Sequence, residues 1–276
     1  MPNDLDSGAR LRAQYNASGG VHQTFSAKVT DYLASRPDYP AALFEQLRRL
    51  CGLAPGAVVA DIGAGTGLLT KDLLAQAWLA IAVEPNDEMR AAADSLLGLN
   101  PSYRSINGSA EASGLADHSV DLITAAQAFH WFDLAATARE FRRVLRPGAM
   151  VALIWNDRVL DDPLNLALDQ LLDRFGGSKR AALVAHEQGR DVAPFFGGEP
   201  LHRLQLPHQH RLSGDALLSL VFSRSYMPAR DSVPGEAVSK AIGNIVRAHA
   251  DNGSVSMRYR TDVLVGVPVE SALAAS

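Results

Sequence analysis

The stretch Val58-Val59-Ala60-Asp61-Ile62-Gly63-Ala64-Gly65-Thr66-Gly67 decides how this chain reads. An apolar run ends near a carboxylate, three glycines follow at alternate positions, and a helical pattern runs from about Leu68 to Ala75. Strand, glycine loop and helix in that order form a nucleotide-binding arrangement. Glycine lets the backbone turn tightly and approach a ligand with no Cβ in the way. A dinucleotide fingerprint places its third glycine or alanine at the sixth position, where Leu68 stands; here Gly67 falls one residue early. Asp61 would also repel a pyrophosphate seated over the helix N-terminus. The charge pattern therefore favours a cationic ligand. A second anchor is Glu84, ending the next apolar run in Val83-Glu84-Pro85-Asn86, where a carboxylate can accept both hydroxyls of a ribose.

Outward from the loop, short apolar runs alternate with helical patterns. Strands are expected at Ala57 to Ala60, Leu79 to Val83, Ser102 to Ile106, Val120 to Ala126 and Met150 to Trp155, with helices over Asp87 to Leu97 and Leu134 to Leu145. Near-continuous apolar strands between helices imply a parallel sheet covered on both faces. The fold class is thus α/β, a Rossmann-like mostly parallel sheet. Upstream, Ala41 to Leu50 repeats apolar residues at helical spacing, opened by Pro40 and stopped by Gly52. Residues 1–54 read as an N-terminal helical lid and 55–156 as the cofactor-binding core. Residues 157–200 break the rhythm with an amphipathic helix marked by Leu164, Leu168, Leu171, Leu172 and Phe175, and read as an inserted cap. Residues 201–276 return to strand character at His202 to Leu212 and Val255 to Val267, as the C-terminal part of the sheet with an antiparallel edge strand.

The chain of 276 residues is 47% hydrophobic and 20% charged, ordinary for a soluble globular protein. Its net charge of −4 lacks the basic surplus of a polyanion-binding chain, so no nucleic-acid partner is expected. A single cysteine, Cys51, permits neither an intrachain disulfide nor a thiolate metal cluster. The polar, acidic start and the lack of a run of roughly 18 apolar residues lead to the expectation of a cytoplasmic protein, with no membrane partner, as monomer or homodimer.

These residues resemble the class I S-adenosylmethionine-dependent methyltransferases, and more closely the methyltransferase type 11 family. The likeness covers about residues 25–156. Val58 to Gly67 looks like the family's first motif, and Glu84-Pro85-Asn86 with Met89 its ribose-binding segment. Gly108-Ser109-Ala110-Glu111, Leu115 and Asp117 to Asp121 resemble the adenine-side segment and fourth strand. Ala126-Gln127-Ala128-Phe129-His130-Trp131-Phe132-Asp133 and Arg143 to Ala149 complete the pattern. Arg36-Pro37-Asp38-Tyr39-Pro40 and Ser223-Arg224-Ser225-Tyr226-Met227-Pro228 look like two elements of a bacterial small-molecule subgroup. Ser109 replaces an aspartate common in the family, and Ala77-Trp78 a glycine.

The resemblance implies S-adenosyl-L-methionine as cofactor, held by Asp61, Gly63, Ala64, Gly65, Gly67, Glu84, Pro85, Met89, Ser109, Ala110, Glu111, Gln127 and Ala128. His130, just past the fourth strand, titrates near neutral pH and is the candidate general base. Tyr15, His22, Arg36, Tyr39 and Trp131 are candidates to face a small-molecule methyl acceptor. His208 and His210 share one strand face, but no carboxylate or cysteine lies near them in sequence, so no metal is expected. The alternatives are methylation of RNA or protein, a cofactor-binding module without turnover, and nicotinamide chemistry.

Overall fold

The computed structural model describes residues 35–188 and 191–269. Helix α1 (Ala41–Cys51) follows Pro40 and buries Leu43, Phe44 and Leu47; Gly52, left-handed at φ 63°, ends it by donating its N–H to the Arg48 carbonyl. Strand β1 (Val58–Ile62) leads through the glycine loop into α2 (Leu68–Leu74), and β2 (Leu79–Val83) into α3 (Asp87–Leu97). Then come β3 (Tyr103–Ile106), β4 (Val120–Ala126), a short 3-10 turn (Phe129–Trp131), α4 (Leu134–Val144) and β5 (Leu145–Arg158). The remainder forms α5 (Pro163–Gln188), α6 (Ala193–Phe196), β6 (His202–Ser213), α7 (Gly214–Phe222), α8 (Val233–His249) and β7 (Ser254–Gly266).

The strands lie in the order β3-β2-β1-β4-β5-β7-β6. The first five run parallel, and the antiparallel edge strand lies on the β7–β6 side. The chain winds outward from β1 to β2 and β3, then returns to β4 on the other flank of β1. That reversal is the switch point at which open α/β sheets bind ligands, beyond the carboxyl ends of their strands. Register sets Asp61 beside Ala82 of β2 and Thr124 of β4.

The described residues group into two compact units. One contains residues 38–156, 191–206 and 261–269; the other, 35–37, 157–188 and 207–260. In the first, one apolar cluster gathers Ile62, Val83, Ile123, Phe141, Leu153 and Phe195, and another gathers Leu43, Leu47, Leu73, Trp78, Leu122 and Val263. The second unit has its own core, including Leu168, Leu172, Leu217, Leu220, Val238 and Met257.

Three features depart from the sequence reading. Residues 201–276 hold two helices, α7 and α8, beside the two expected strands. Both are capped by serine, Ser213 accepting from the Ala216 N–H and Ser232 from the Gly235 N–H. Those caps were the available signal. The helical stretch of the cap extends to Gln188 but is broken at Gly177 (φ 58°, ψ −152°). Strand β5 starts at Leu145 rather than at the expected Met150, so that Pro147 and Gly148 lie inside it, and its pairing with β4 shifts register between Val120 and Leu122.

Candidate functional site

Gly63, Gly65 and Gly67 all adopt left-handed backbone (φ 70°, 57° and 79°), which explains why the loop needs glycine at each. The Gly63 and Ala64 N–H groups both donate to the Val83 carbonyl (2.9 and 3.2 Å), pinning the loop to the end of β2. Their surroundings differ. A Cβ on Gly63 would sit 2.6 Å from the Ala128 Cβ, and one on Gly67 would sit 2.8 Å from Leu97. At Gly65 the nearest atom is the Met89 sulfur, 3.7 Å away. The loop is therefore closed by packing at its two ends and open in the middle.

Glu84 borders that opening. Its side chain is nearly buried, at 7% exposure. One carboxylate oxygen accepts from the Gly65 N–H (2.8 Å) and the other from the Asn86 N–H (2.9 Å). Asn86 in turn caps α3 by accepting from the Met89 N–H at 2.9 Å. The Arg90 guanidinium donates to the Glu84 main-chain carbonyl at 2.9 Å. A carboxylate offers about four acceptor sites in its plane, so one whose orientation is fixed by two amides is well built to receive a vicinal diol.

Asp61 is placed differently. It is 1% exposed, and its two oxygens accept from the hydroxyls of Thr70 (2.7 Å) and Thr124 (3.0 Å). Burial pushes its pKa up to about 6; the two threonines oppose that shift, and the Glu84 charge adds to it. Its side chain thus ties β1 to α2 and β4, with both oxygens engaged by those threonines. Sequence reading missed Thr70 and Thr124. The signal was a hydroxyl interrupting the apolar run Leu122-Ile123-Thr124-Ala125, since a buried polar residue in such a strand needs a partner.

On the neighbouring segment, Ala110 is buried and Ser109 makes a local turn, its hydroxyl accepting from the Glu111 and Ala112 N–H groups (3.3 and 3.2 Å). Glu111 accepts from the Asp133 N–H at 2.9 Å, linking this segment to the start of α4. Pro85 is exposed, and Met89 is buried beneath the loop. Gln127 sits at φ 57°, a strained conformation for a residue with a side chain, held by its N–H bond to the Ile154 carbonyl (2.9 Å). Strain of this kind clusters at ligand sites, and here it turns Ala128 against Gly63. His130 follows on the 3-10 turn, its ring tilted 49° to that of Trp131 with centroids 4.6 Å apart.

Of the acceptor-facing candidates, Tyr15 and His22 lie outside the described residues. Tyr39 is buried in the cluster around Leu43, Phe44 and Leu47, whereas Arg36 belongs to the other unit. His208 and His210 both lie against Tyr259, with ring centroids 6.5 and 6.4 Å from it. Among the described residues no group of three or more metal-ligating side chains occurs. No helix of the described residues is long and apolar enough to cross a membrane.

Comparison with known proteins agrees with this geometry. A methyltransferase-domain family model matches residues 60–153, which span the loop, Glu84 and the turn bearing His130. An uncharacterised methyltransferase of Mycobacterium tuberculosis is 36% identical over 207 residues, 74% of this chain and 77% of that one. An uncharacterised methyltransferase of Schizosaccharomyces pombe is 35% identical over 178 residues, 64% of this chain and 68% of the relative. A candidate type II methyltransferase from Anaeromyxobacter dehalogenans has a solved structure that matches with a TM-score of 0.58 at 26% identity, covering 83% of this chain and 96% of that one. The chain is an enzyme of the methyltransferase type 11 family, within the class I S-adenosylmethionine-dependent methyltransferases.

Proposed function

We propose that this enzyme transfers a methyl group from S-adenosyl-L-methionine to a small-molecule acceptor bearing an oxygen, nitrogen or carbon nucleophile. The observation that carries the reading is Glu84, a nearly buried carboxylate held by the Gly65 and Asn86 amides beside the open middle of the glycine loop. The residues fit such a donor. A side chain at Gly65 would fill the space that a nucleoside needs, and Glu84 is aimed to accept ribose hydroxyls. When bound, S-adenosylmethionine supplies a methyl group activated by a sulfonium for in-line displacement.

The protein's share is alignment and exclusion of water, which can lower a barrier by several kcal/mol. Asp61, through Thr70 and Thr124, keeps the loop at the switch point. Ala128 closes on Gly63, and His130, two residues on, is the group suited to take a proton from a hydroxyl or amine. The net charge of −4 supports a small acceptor over RNA.

Incubating the enzyme and a whole-cell extract with methyl-labelled donor is the test. Label should enter extractable small molecules; label found instead in protein or RNA would overturn the choice of acceptor. His130→Gln should lower turnover at least ~100-fold with unchanged affinity for the demethylated cofactor. A variant as fast as wild type removes the role given to His130.

A further inference from the structure

In the second unit, β6 and β7 send alternate side chains to opposite faces. Val255, Met257 and Tyr259 of β7 and Leu212 of β6 enter the core of that unit, which leaves Ser254, Gln209 and Arg211 outside it. These three line a groove of about 440 Å³ together with Asp162 before α5, His249 in the last turn of α8 and Asp251 beyond it. Small-molecule sites have volumes of this order. Every lining residue belongs to the second unit, whereas the residues proposed to hold the cofactor belong to the first.

The groove carries both signs of charge without pairing them. Arg158, Arg180 and Arg258 of the same unit each meet an aspartate. No ion pair joins Arg211 to Asp162 or Asp251, and among the described residues the side chains of Gln209, Arg211 and Asp251 have no hydrogen-bond partner. Asp162 is committed to the fold, since it accepts from the Asn165 N–H (3.1 Å) in the first turn of α5. Asp251 is fixed through its main chain, which exchanges two hydrogen bonds with Ser254 (2.8 and 3.0 Å) and leaves the carboxylate available. The helix ends add to both poles. α5 starts at the groove with its partial positive charge, and α8 ends there with its partial negative one.

We propose that this groove binds a free amino acid, its carboxylate on the Arg211 fork and its ammonium on Asp251. A guanidinium matches a planar carboxylate, and the Ser254 hydroxyl and Gln209 amide supply neutral donors and acceptors. A simple anion would be repelled by Asp251 and a simple cation by Arg211, so a ligand carrying both charges suits the groove best. Arg211 and Asp251 are exposed, and pairs open to water are weak, so the affinity belongs in the ~mM range. The inference is independent of the cofactor reading above.

The test is calorimetry on the full chain with S-adenosylhomocysteine present to fill the donor site, titrated with each of the standard protein amino acids. At least one should bind with a Kd of ~10 mM or tighter. The matching deaminated acid and decarboxylated amine should each bind at least ~5-fold more weakly. Arg211→Gln and Asp251→Asn change exposed side chains that the fold does not use. Each should weaken amino-acid binding at least ~5-fold, with the melting temperature and S-adenosylhomocysteine affinity of wild type. No binding by any amino acid, equal binding of the acid or the amine, or unchanged affinity in either variant would overturn the proposal. A wild-type chain that binds an amino acid but no S-adenosylhomocysteine contradicts the cofactor reading instead.

Discussion

Gly63 and Gly65 share a left-handed backbone but face opposite surroundings, so alanine should act differently at each. At Gly63 the new Cβ meets Ala128 at 2.6 Å, and strain plus overpacking should cost about 2–4 kcal/mol. At Gly65 only the backbone penalty applies, about 1 kcal/mol, but the methyl group enters the open middle of the loop. Denaturant melts with S-adenosylhomocysteine titrations should therefore show Gly63→Ala losing stability and Gly65→Ala mainly losing affinity. Equal behaviour would mean that the loop is not open where the structure has it. Asp61 offers a second test at this scale. Its folded pKa is raised from 3.8 to about 6, so the stability its protonated form contributes is fully present below pH 3.8 and is lost as pH rises through 6. The span corresponds to on the order of 3 kcal/mol. Asn at this position mimics the neutral form. The stability difference between wild type and Asp61→Asn should thus move in favour of the variant between pH 4 and 6, and a difference independent of pH would contradict the assignment.

At the scale of elements, α4 is fastened to the segment after β3 through Glu140. Its carboxylate accepts from the Ser113 N–H (2.9 Å) and hydroxyl (2.5 Å) and from two nitrogens of Arg143 (2.8 and 2.7 Å). The Arg143 hydrogen bond, with help from Ser113 and against burial, lowers the Glu140 pKa from 4.5 to about 2. A depressed carboxylate stabilises the fold above its ordinary pKa and loses that contribution as pH falls from about 4.5 to 2. Glu140→Gln should cost about 1–2 kcal/mol at neutral pH, allowing for solvent screening, and should flatten the acid limb of the stability profile. An unchanged acid limb would rule this link out. The elements also differ in how openly the sequence declared them. β1 to β4 were readable because buried parallel strands must be apolar throughout. β5 was harder, since Pro147 and Gly148 resemble a stop signal yet sit at a register shift. Helices α7 and α8 were hidden beneath a strand-like reading of the tail, although Ser213 and Ser232 mark their starts.

For the whole molecule, the proposed cofactor side could be argued from sequence because its elements are local: a glycine loop and Glu84 stand one strand apart. The bond from Thr124 to Asp61 was not legible, because it depends on a register between strands 63 residues apart in sequence, and Thr70, nine residues from Asp61, lies on the helix beyond the loop. Family membership rests on the comparisons and fold together, whereas use of the donor rests on Glu84 and the loop. Calorimetric titration of wild type and Glu84→Ala with S-adenosylhomocysteine tests that claim most directly. Wild type should bind one equivalent, and loss of the carboxylate proposed to accept ribose hydroxyls should weaken binding by ~10- to 100-fold while the chain stays folded. No binding to wild type at millimolar ligand, or equal affinity in a folded Glu84→Ala variant, would contradict the account.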